Sequence, residues 1–300
     1  MRGAADLIIA EKALYPVYIA SGPALANGRA SPGPQRNPGP MRPNLAVILV
    51  WFLGLGPAAD AVQGPLTEGG TSTAVEIVDG DTLVLDDGRE VRLVGIQAPK
   101  LPLGRSGFKT WPLAEEAKQA LSELALGQTL RLAYGGRRVD RHRRALAHLF
   151  DADGLWIQGE LLRRGLARVY SFADNRALVP QMLALEAEAR TTRRGIWADP
   201  FYAVRTAADV ERHIGGFEVV EARVIDVAIV RGRAYLNFGA DWRSDFTVTL
   251  APDVRRRFES EGIAPESYQG RRVRVRGWIK SFNGPMIEAT HPEQIEVLDP

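Results

Sequence analysis

Short runs that alternate apolar with polar side chains, each closed by a Gly, Asp or Asn turn, recur through residues 73–150 and again through 217–289. Period-two alternation puts every second side chain on one face, so such a chain must fold mainly as small sheets. In the first stretch, 75–78, 82–85 and 90–96 read as strands, with turns at Asp79-Gly80 and Asp86-Asp87-Gly88. From Leu113 to Leu126 the spacing becomes helical, with apolar residues at 113, 117, 121 and 124, and Gly127 closes it. Strands at 128–134 and 144–150 flank Gly135-Gly136, and helices are expected at 156–168 and 178–193. Three strands, a helix and two strands describe a five-stranded barrel of the OB type. The second stretch repeats that order: strands at 217–229, 233–239 and 245–250, a helix at 252–261, a strand at 271–279, and a hairpin turn at Asn283-Gly284 into 285–289. The expected fold class is α+β. An OB-fold five-stranded barrel spans 73–200, a connector 201–215, and a second OB-like β-barrel 216–300.

A hydrophobic fraction of 45% with 25% charged residues excludes general disorder for the 300-residue chain. The absence of cysteine excludes disulfides, thiolate zinc sites and a cysteine nucleophile. The first forty residues differ from the rest. Six prolines, five glycines and no sustained apolar period mark 1–40 as an unstructured extension. Met41-Arg42 then leads into an apolar run at 45–55, followed by Gly56-Pro57 and Ala59-Asp60-Ala61. A charged start, a short apolar stretch and a small-x-small end make 41–61 a secretory signal peptide. Translation is expected to begin at Met41, with cleavage after Ala61 and delivery to the periplasm or exterior. The alternative is a chain anchored in the membrane by 45–55, although that run is short for a span. Residues 1–61 hold five basic and three acidic residues, so the remainder carries 33 of each. Bulk charge therefore recruits no polyanion; only local patches can.

Asp79-Gly-Asp-Thr82, Val91-Arg-Leu-Val-Gly-Ile96 with Pro99, Asp140-Arg-His-Arg-Arg-Ala-Leu-Ala147, the stretch from Leu161 to Val169, and Glu186-Ala-Glu-Ala-Arg-Thr-Thr-Arg-Arg-Gly-Ile-Trp197 resemble, in this order, the staphylococcal nuclease-like (thermonuclease) family. The resemblance covers about 73–200. It implies an OB barrel with helices, in which a calcium ion and two arginines act on a nucleic-acid phosphodiester and a glutamate activates water. By position, Asp81 matches a calcium-ligand aspartate with Asp79 beside it, and Arg92 and Arg144 match the two arginines. Carboxylates suit a hard cation, and guanidiniums suit charge developing on phosphorus. Asp79 and Asp81 are also ordinary turn residues. Arg92 equally suits a strand ion pair, and Arg144 a solvated basic face.

The chain departs from the family after the Gly-Ile step. Where relatives commonly read Asp-Thr-Pro-Glu, it reads Gln97-Ala98-Pro99-Lys100. Gln97 replaces a ligand aspartate with a neutral amide, and Lys100 replaces the catalytic glutamate with a cation. Two aspartates offer few oxygens to an ion that takes six to eight, so calcium is expected to bind weakly or not at all. Glu115 and Glu116 are the nearest carboxylates, at a helix start; Asp86, Asp87 and Glu90 belong to the hairpin. Arg92, Lys100, Arg105 and Arg144 could instead form a metal-free cradle for a nucleotide or strand phosphate. Arg131, Arg137, Arg138, Arg141, Arg143 and Arg144, against one acid, Asp140, strengthen that reading, although charge runs are most often solvated surface. His142 and His148 show no partner and read as surface or core residues.

Two function classes follow. One is a nuclease-family protein acting on or holding nucleic acid, with catalysis weakened or lost. The other is a non-catalytic binding or scaffold protein of the cell envelope. In the second barrel, Tyr235, Phe238, Trp242, Phe246, Trp278 and Phe282 lie near Arg231, Arg233, Arg243 and the run from Arg271 to Arg276. Aromatics flanked by arginines are how OB domains hold single strands, while alternate aromatics in strands more often fill a core. A protein partner of this unit is the further reading. The leader makes a direct prediction: intact mass of the exported chain from its native host gives a first residue at Val62, and an envelope species retaining 1–40 would overturn it.

Overall fold

Strand β1 (Thr67–Asp79) runs along two neighbours in succession, and this closes the first barrel. Its first half pairs with β5 (Thr129–Tyr134), and its second half with β2 (Thr82–Leu85). β2 pairs with β3 (Glu90–Leu93), β3 pairs in parallel with β6 (Ala145–Phe150), and β6 returns to β5. The order β1-β2-β3-β6-β5 is a closed barrel in this computed structural model, which describes residues 66–298. The expectations for 1–40, for the signal segment 41–61 and for its cleavage lie outside the described residues. Alternation does what the sequence implies: Leu83, Leu85, Val91, Leu93, Leu130, Leu132, Ala147 and Leu149 fill the interior.

Helices cover the barrel's outside. They are α1 (Ala114–Ala125), α2 (Ile157–Arg163) and α3 (Val179–Thr191). Gly80 lies against α1, where a Cβ would sit 2.7 Å from both Ala117 and Ala98. The turn that carries Asp79 and Asp81 is thereby clamped between the helix and the 98–101 segment. α2 is shorter than the expected 156–168. Gly165 takes a left-handed φ of 67° with its Cα against the Arg194 carbonyl, which ends the helix. The chain then forms β7 (Arg168–Val169), antiparallel to β4 (Ile96–Gln97).

The second sheet repeats the topology. β8 (Arg205–Thr206) flanks β9 (Phe217–Arg223); β10 (Asp226–Val230), β11 (Arg233–Asn237), β12 (Thr247–Leu250), β13 (Arg272–Ser281), β14 (Pro285–Ala289) and β15 (Ile295–Val297) complete it. The path β10-β11-β12-β14-β13-β9 curls back on itself, because β9 and β10 are consecutive in the chain. The expected single strand at 217–229 is broken there. Val224 N–H donates to Arg271 on one side and Ile225 N–H to Asn237 on the other, so the chain changes partner between adjacent residues. β12 and β14 pair in parallel, as β3 and β6 do, and α4 (Pro252–Ser260) occupies the position of α1. Residues 201–215 are not a free tether. Val210 is buried in the second core, Tyr202 donates to the Pro112 carbonyl, and β8 joins the sheet. Among the described residues no helix is long and apolar enough to cross a membrane.

A buried ion pair joins the two barrels. Arg276 of β13 donates through both terminal nitrogens, at 3.0 Å each, to Glu186 of α3, and both side chains are essentially inaccessible. Glu186 also accepts from the Val169 N–H at 2.6 Å and from Arg190 at 2.8 Å. Burial opposes its ionisation, yet the charges of Arg276 and Arg190 hold its pKa below the usual value. Removing one partner of such a pair costs far more than its net contribution, since the other charge stays buried. Arg276→Met is therefore expected to lose about 3–5 kcal/mol, read by urea unfolding. An unchanged midpoint would mean the seam is not structural.

Candidate functional site

The turn between β1 and β2 delivers two carboxylates to one point. Asp81 is fully buried and Asp79 nearly so. Lys100 approaches from the 98–101 segment, its ammonium 2.8 and 2.7 Å from the two Asp81 carboxylate oxygens and 3.5 Å from Asp79 Oδ2. Asp81 Oδ2 also accepts from the Ala98 N–H at 2.7 Å and lies 3.2 Å from the Arg92 guanidinium. Asp79, Asp81, Arg92 and Lys100 thus form one cluster, two negative and two positive. Burial works against ionisation of Asp81, but Arg92 and Lys100 outweigh it and hold its pKa at about 2. Asp79 moves the other way: burial, then the charge of Asp81, raises it above the usual carboxylate value. Asp79 is the member of the pair that takes a proton first.

Arg92 is anchored besides. Its two terminal nitrogens donate to the Leu93 and Ile96 carbonyls at 2.6 Å each. Gln97, at the position of a ligand aspartate, does not turn toward the aspartates. Its amide oxygen accepts from Arg168 at 3.0 and 2.7 Å, the residue opposite it in the β4–β7 pair. Arg168 is buried, its guanidinium 4.8 Å from the ring of Phe217 and within 6 Å of those of Trp111 and Tyr202.

Arg144 shares an outer face with Arg92, since the parallel register sets Arg92 beside Leu146 and Arg144 lies one repeat earlier. It makes its contacts elsewhere, however: Nε and a terminal nitrogen each lie 2.8 Å from Asp140, and Glu90 is 4.0 Å away. Arg105 does not join the cluster. It donates to the Pro102 and Leu101 carbonyls of its own loop and stacks on Phe108 at 3.8 Å. Glu115 and Glu116 are exposed on α1, and Asp86 and Asp87 tie off the hairpin through Ser72 and Arg89. His142 is exposed, while His148 is buried, pushed down to about 3 by that burial, and therefore neutral. The partners that sequence reasoning missed are Arg168 and Asp140's grip on Arg144. Asp140 was visible as the one acid among the arginines.

The cluster generates a prediction with a sign. Asp81's lowered pKa contributes stability that is fully present above its unfolded value of 3.8 and is lost as pH falls toward 2. Lys100→Met removes one of the two cations responsible, so acid unfolding shifts to higher pH. At neutral pH the variant is expected to lose about 3 kcal/mol, the low end for breaking a buried pair because Lys100 keeps some exposure. Acid and urea titrations of both proteins check this; coincident curves would show the cluster to be inert.

The family described as staphylococcal nuclease homologue matches residues 90–199, a span that starts after Asp79 and Asp81 and ends before the second sheet. An uncharacterized endonuclease of Escherichia coli O157:H7 is 30% identical over 128 residues, which is 42% of this chain and 75% of that protein. The protein ParB of Escherichia coli is 34% identical over 143 residues, 42% of this chain and 71% of its own length. The endonuclease YncB of Bacillus subtilis (strain 168) is 32% identical over 130 residues, 42% of this chain and 60% of its own. With the closed barrel, the Asp79–Asp81 turn and the strand-borne Arg92 in place, these likenesses establish that the chain belongs to the staphylococcal nuclease homologue family.

Proposed function

We propose that this is an exported member of the nuclease family that binds the phosphodiester backbone of nucleic acid without cutting it by the calcium route. The observation that carries the reading is the Lys100 ammonium held between Asp81 and Asp79. The residues present do not fit a calcium ion. The two aspartates already face a cation, and the Gln97 oxygen is committed to Arg168. An ammonium has three donors and no coordination position, so it cannot carry an attacking water. Lys100 is also the residue at the base position, and with its donors directed at carboxylates it has no free pair to accept a proton.

Binding is supported by Arg144, which precedes β6 and is partly exposed, and by the loop between β5 and β6. That loop exposes Arg137, Arg138, Arg141 and Arg143 beside a single acid, Asp140. A phosphate can displace Asp140 from Arg144, because the pair is partly open to solvent. Signal-like residues 41–61 support action in the periplasm or outside the cell. The internal pairing of Arg92 and Arg144 favours a second reading, a non-catalytic scaffold of the envelope that keeps only the fold.

Digestion of single-stranded and duplex DNA and RNA, with calcium, magnesium or chelator, tests the proposal. No metal-dependent cleavage is expected, while salt-sensitive binding persists in chelator. Arg144→Ala should weaken that binding by about 1.5–3 kcal/mol, the range for hydrogen bonds to charged groups. Calcium-dependent cleavage by the wild type would sink the non-hydrolytic reading, and absence of any binding would leave the scaffold.

A further inference from the structure

The outward side chains of β13 form a row in two halves. Arg274 and Arg276 are used inside the fold, by Glu221 at 2.6 Å and by Glu186. The continuation, Trp278, Lys280 and then Phe282 just past the strand, faces solvent, with Trp278 40% and Phe282 62% exposed. Isolated exposed apolar residues need no explanation, but aromatics set at strand spacing around a lysine do. The indole is held in place, its Nε1–H donating to the Tyr170 hydroxyl at 2.9 Å across the seam between the barrels. Tyr170 in turn meets Phe172, itself half exposed, edge-on at 4.9 Å. At the other end, the loop bearing Trp242 abuts the β13–β14 hairpin, where the Ser244 carbonyl touches Gly284. Trp242 is 51% exposed, with the Arg243 guanidinium 4.5 Å from its ring.

We infer that this face is a stacking site for unpaired bases of a single-stranded nucleic acid, separate from the arginine face of the first barrel. Trp278 continues edge-on through Phe217, at 6.3 Å, and Tyr170 to the half-exposed Phe172, while Phe282 and Trp242 stand on the hairpin side. Between and beside them stand cations, which suits a ligand that alternates flat apolar bases with phosphates. The carboxylates now facing those cations are surface partners, Glu288 for Lys280 at 2.8 Å and Asp241 for Arg243 at 3.9 Å. Exposed pairs of this kind exchange for phosphate at small cost. The two core aromatics of the same barrel, Phe238 and Phe246, pack against each other at 4.9 Å with their rings tilted and take no part. The inference rests on the reading that the chain binds nucleic acid, but on different residues.

The experiment is fluorescence anisotropy of the full chain with a labelled oligothymidylate, an abasic strand of equal length and a duplex. Wild type is expected to bind the oligothymidylate more tightly than the abasic strand. Phe282→Ala, at the most exposed of these rings, should weaken oligothymidylate binding by about 5- to 150-fold, the range for loss of one stacked base, and leave duplex binding alone. Trp278→Phe, which keeps a ring, should bind better than Trp278→Ala. Arg144→Ala should weaken strand and duplex alike. If Phe282→Ala and Trp278→Ala bind as wild type while Arg144→Ala does not, this inference falls and the functional reading stands. Equal affinity for the abasic strand also overturns it. If wild type binds none of the three probes, both fall.

Discussion

Asp81 has no exposed surface, and a carboxylate so placed must be balanced within the protein. Its balance organises the whole edge of the first barrel. The Ala98 N–H and the Lys100 ammonium bind it, which closes the 98–101 segment over the turn. Arg92 binds it too and, through the Leu93 and Ile96 carbonyls, fixes the end of β3. A divalent ion at this point would contribute two charges and leave coordination positions for phosphate and water. The ammonium contributes one charge, and its three donors face three carboxylate oxygens at 2.7, 2.8 and 3.5 Å. With those donors directed at carboxylates, the ammonium closes the 98–101 segment over the turn that carries Asp79 and Asp81.

The barrels were legible in the sequence because their information is local. Alternation, the Asp79-Gly80 and Asp86-Asp87-Gly88 turns and the helical spacing after Leu113 each depend on neighbours in the chain. The position of Lys100 near Asp81 was legible only through the family resemblance, since strands β2, β3 and β4 with their turns lie between the two residues. What escaped reading depends on distant pairings. Gln97 meets Arg168 across 71 residues, and Glu186 meets Arg276 across 90. No period or turn signal encodes which distant residue a buried guanidinium will face. Arg105 shows the opposite case: its loop, with Leu103, Gly104 and Gly107 at positive φ, folds back far enough for the side chain to bond the Leu101 and Pro102 carbonyls.

The break between β9 and β10 shows a similar limit. Hydrophobic alternation continues through Val224 and Ile225, so the sequence presents one strand. Closing a small barrel, however, requires its first strand to serve partners on both sides. In the first barrel β1 does so with register shifts near Glu68 and Glu76. In the second the chain turns sharply enough to divide the strand. Alternation reports which face is buried, but it does not report where the hydrogen-bond partner changes.

Two adjacent residues tie the altered site to the second barrel. Arg168 faces Gln97, and the backbone N–H of Val169 holds Glu186, the carboxylate that receives Arg276. The buried guanidinium of Arg168 has a neutral amide as its direct acceptor, so its charge must be met from further away. The largest favourable contribution comes from Glu218 on β9, with the ring of Phe217 covering the guanidinium face. A carboxylate at position 97 would satisfy Arg168 alone; a glutamine cannot, and the second barrel supplies the missing charge and the apolar cover. The departure at Gln97 and the docking of the second barrel are therefore two parts of one electrostatic solution. Without the second barrel Arg168 would lose the charge of Glu218 and the cover of Phe217, and Glu186 would keep Arg190 but lose Arg276.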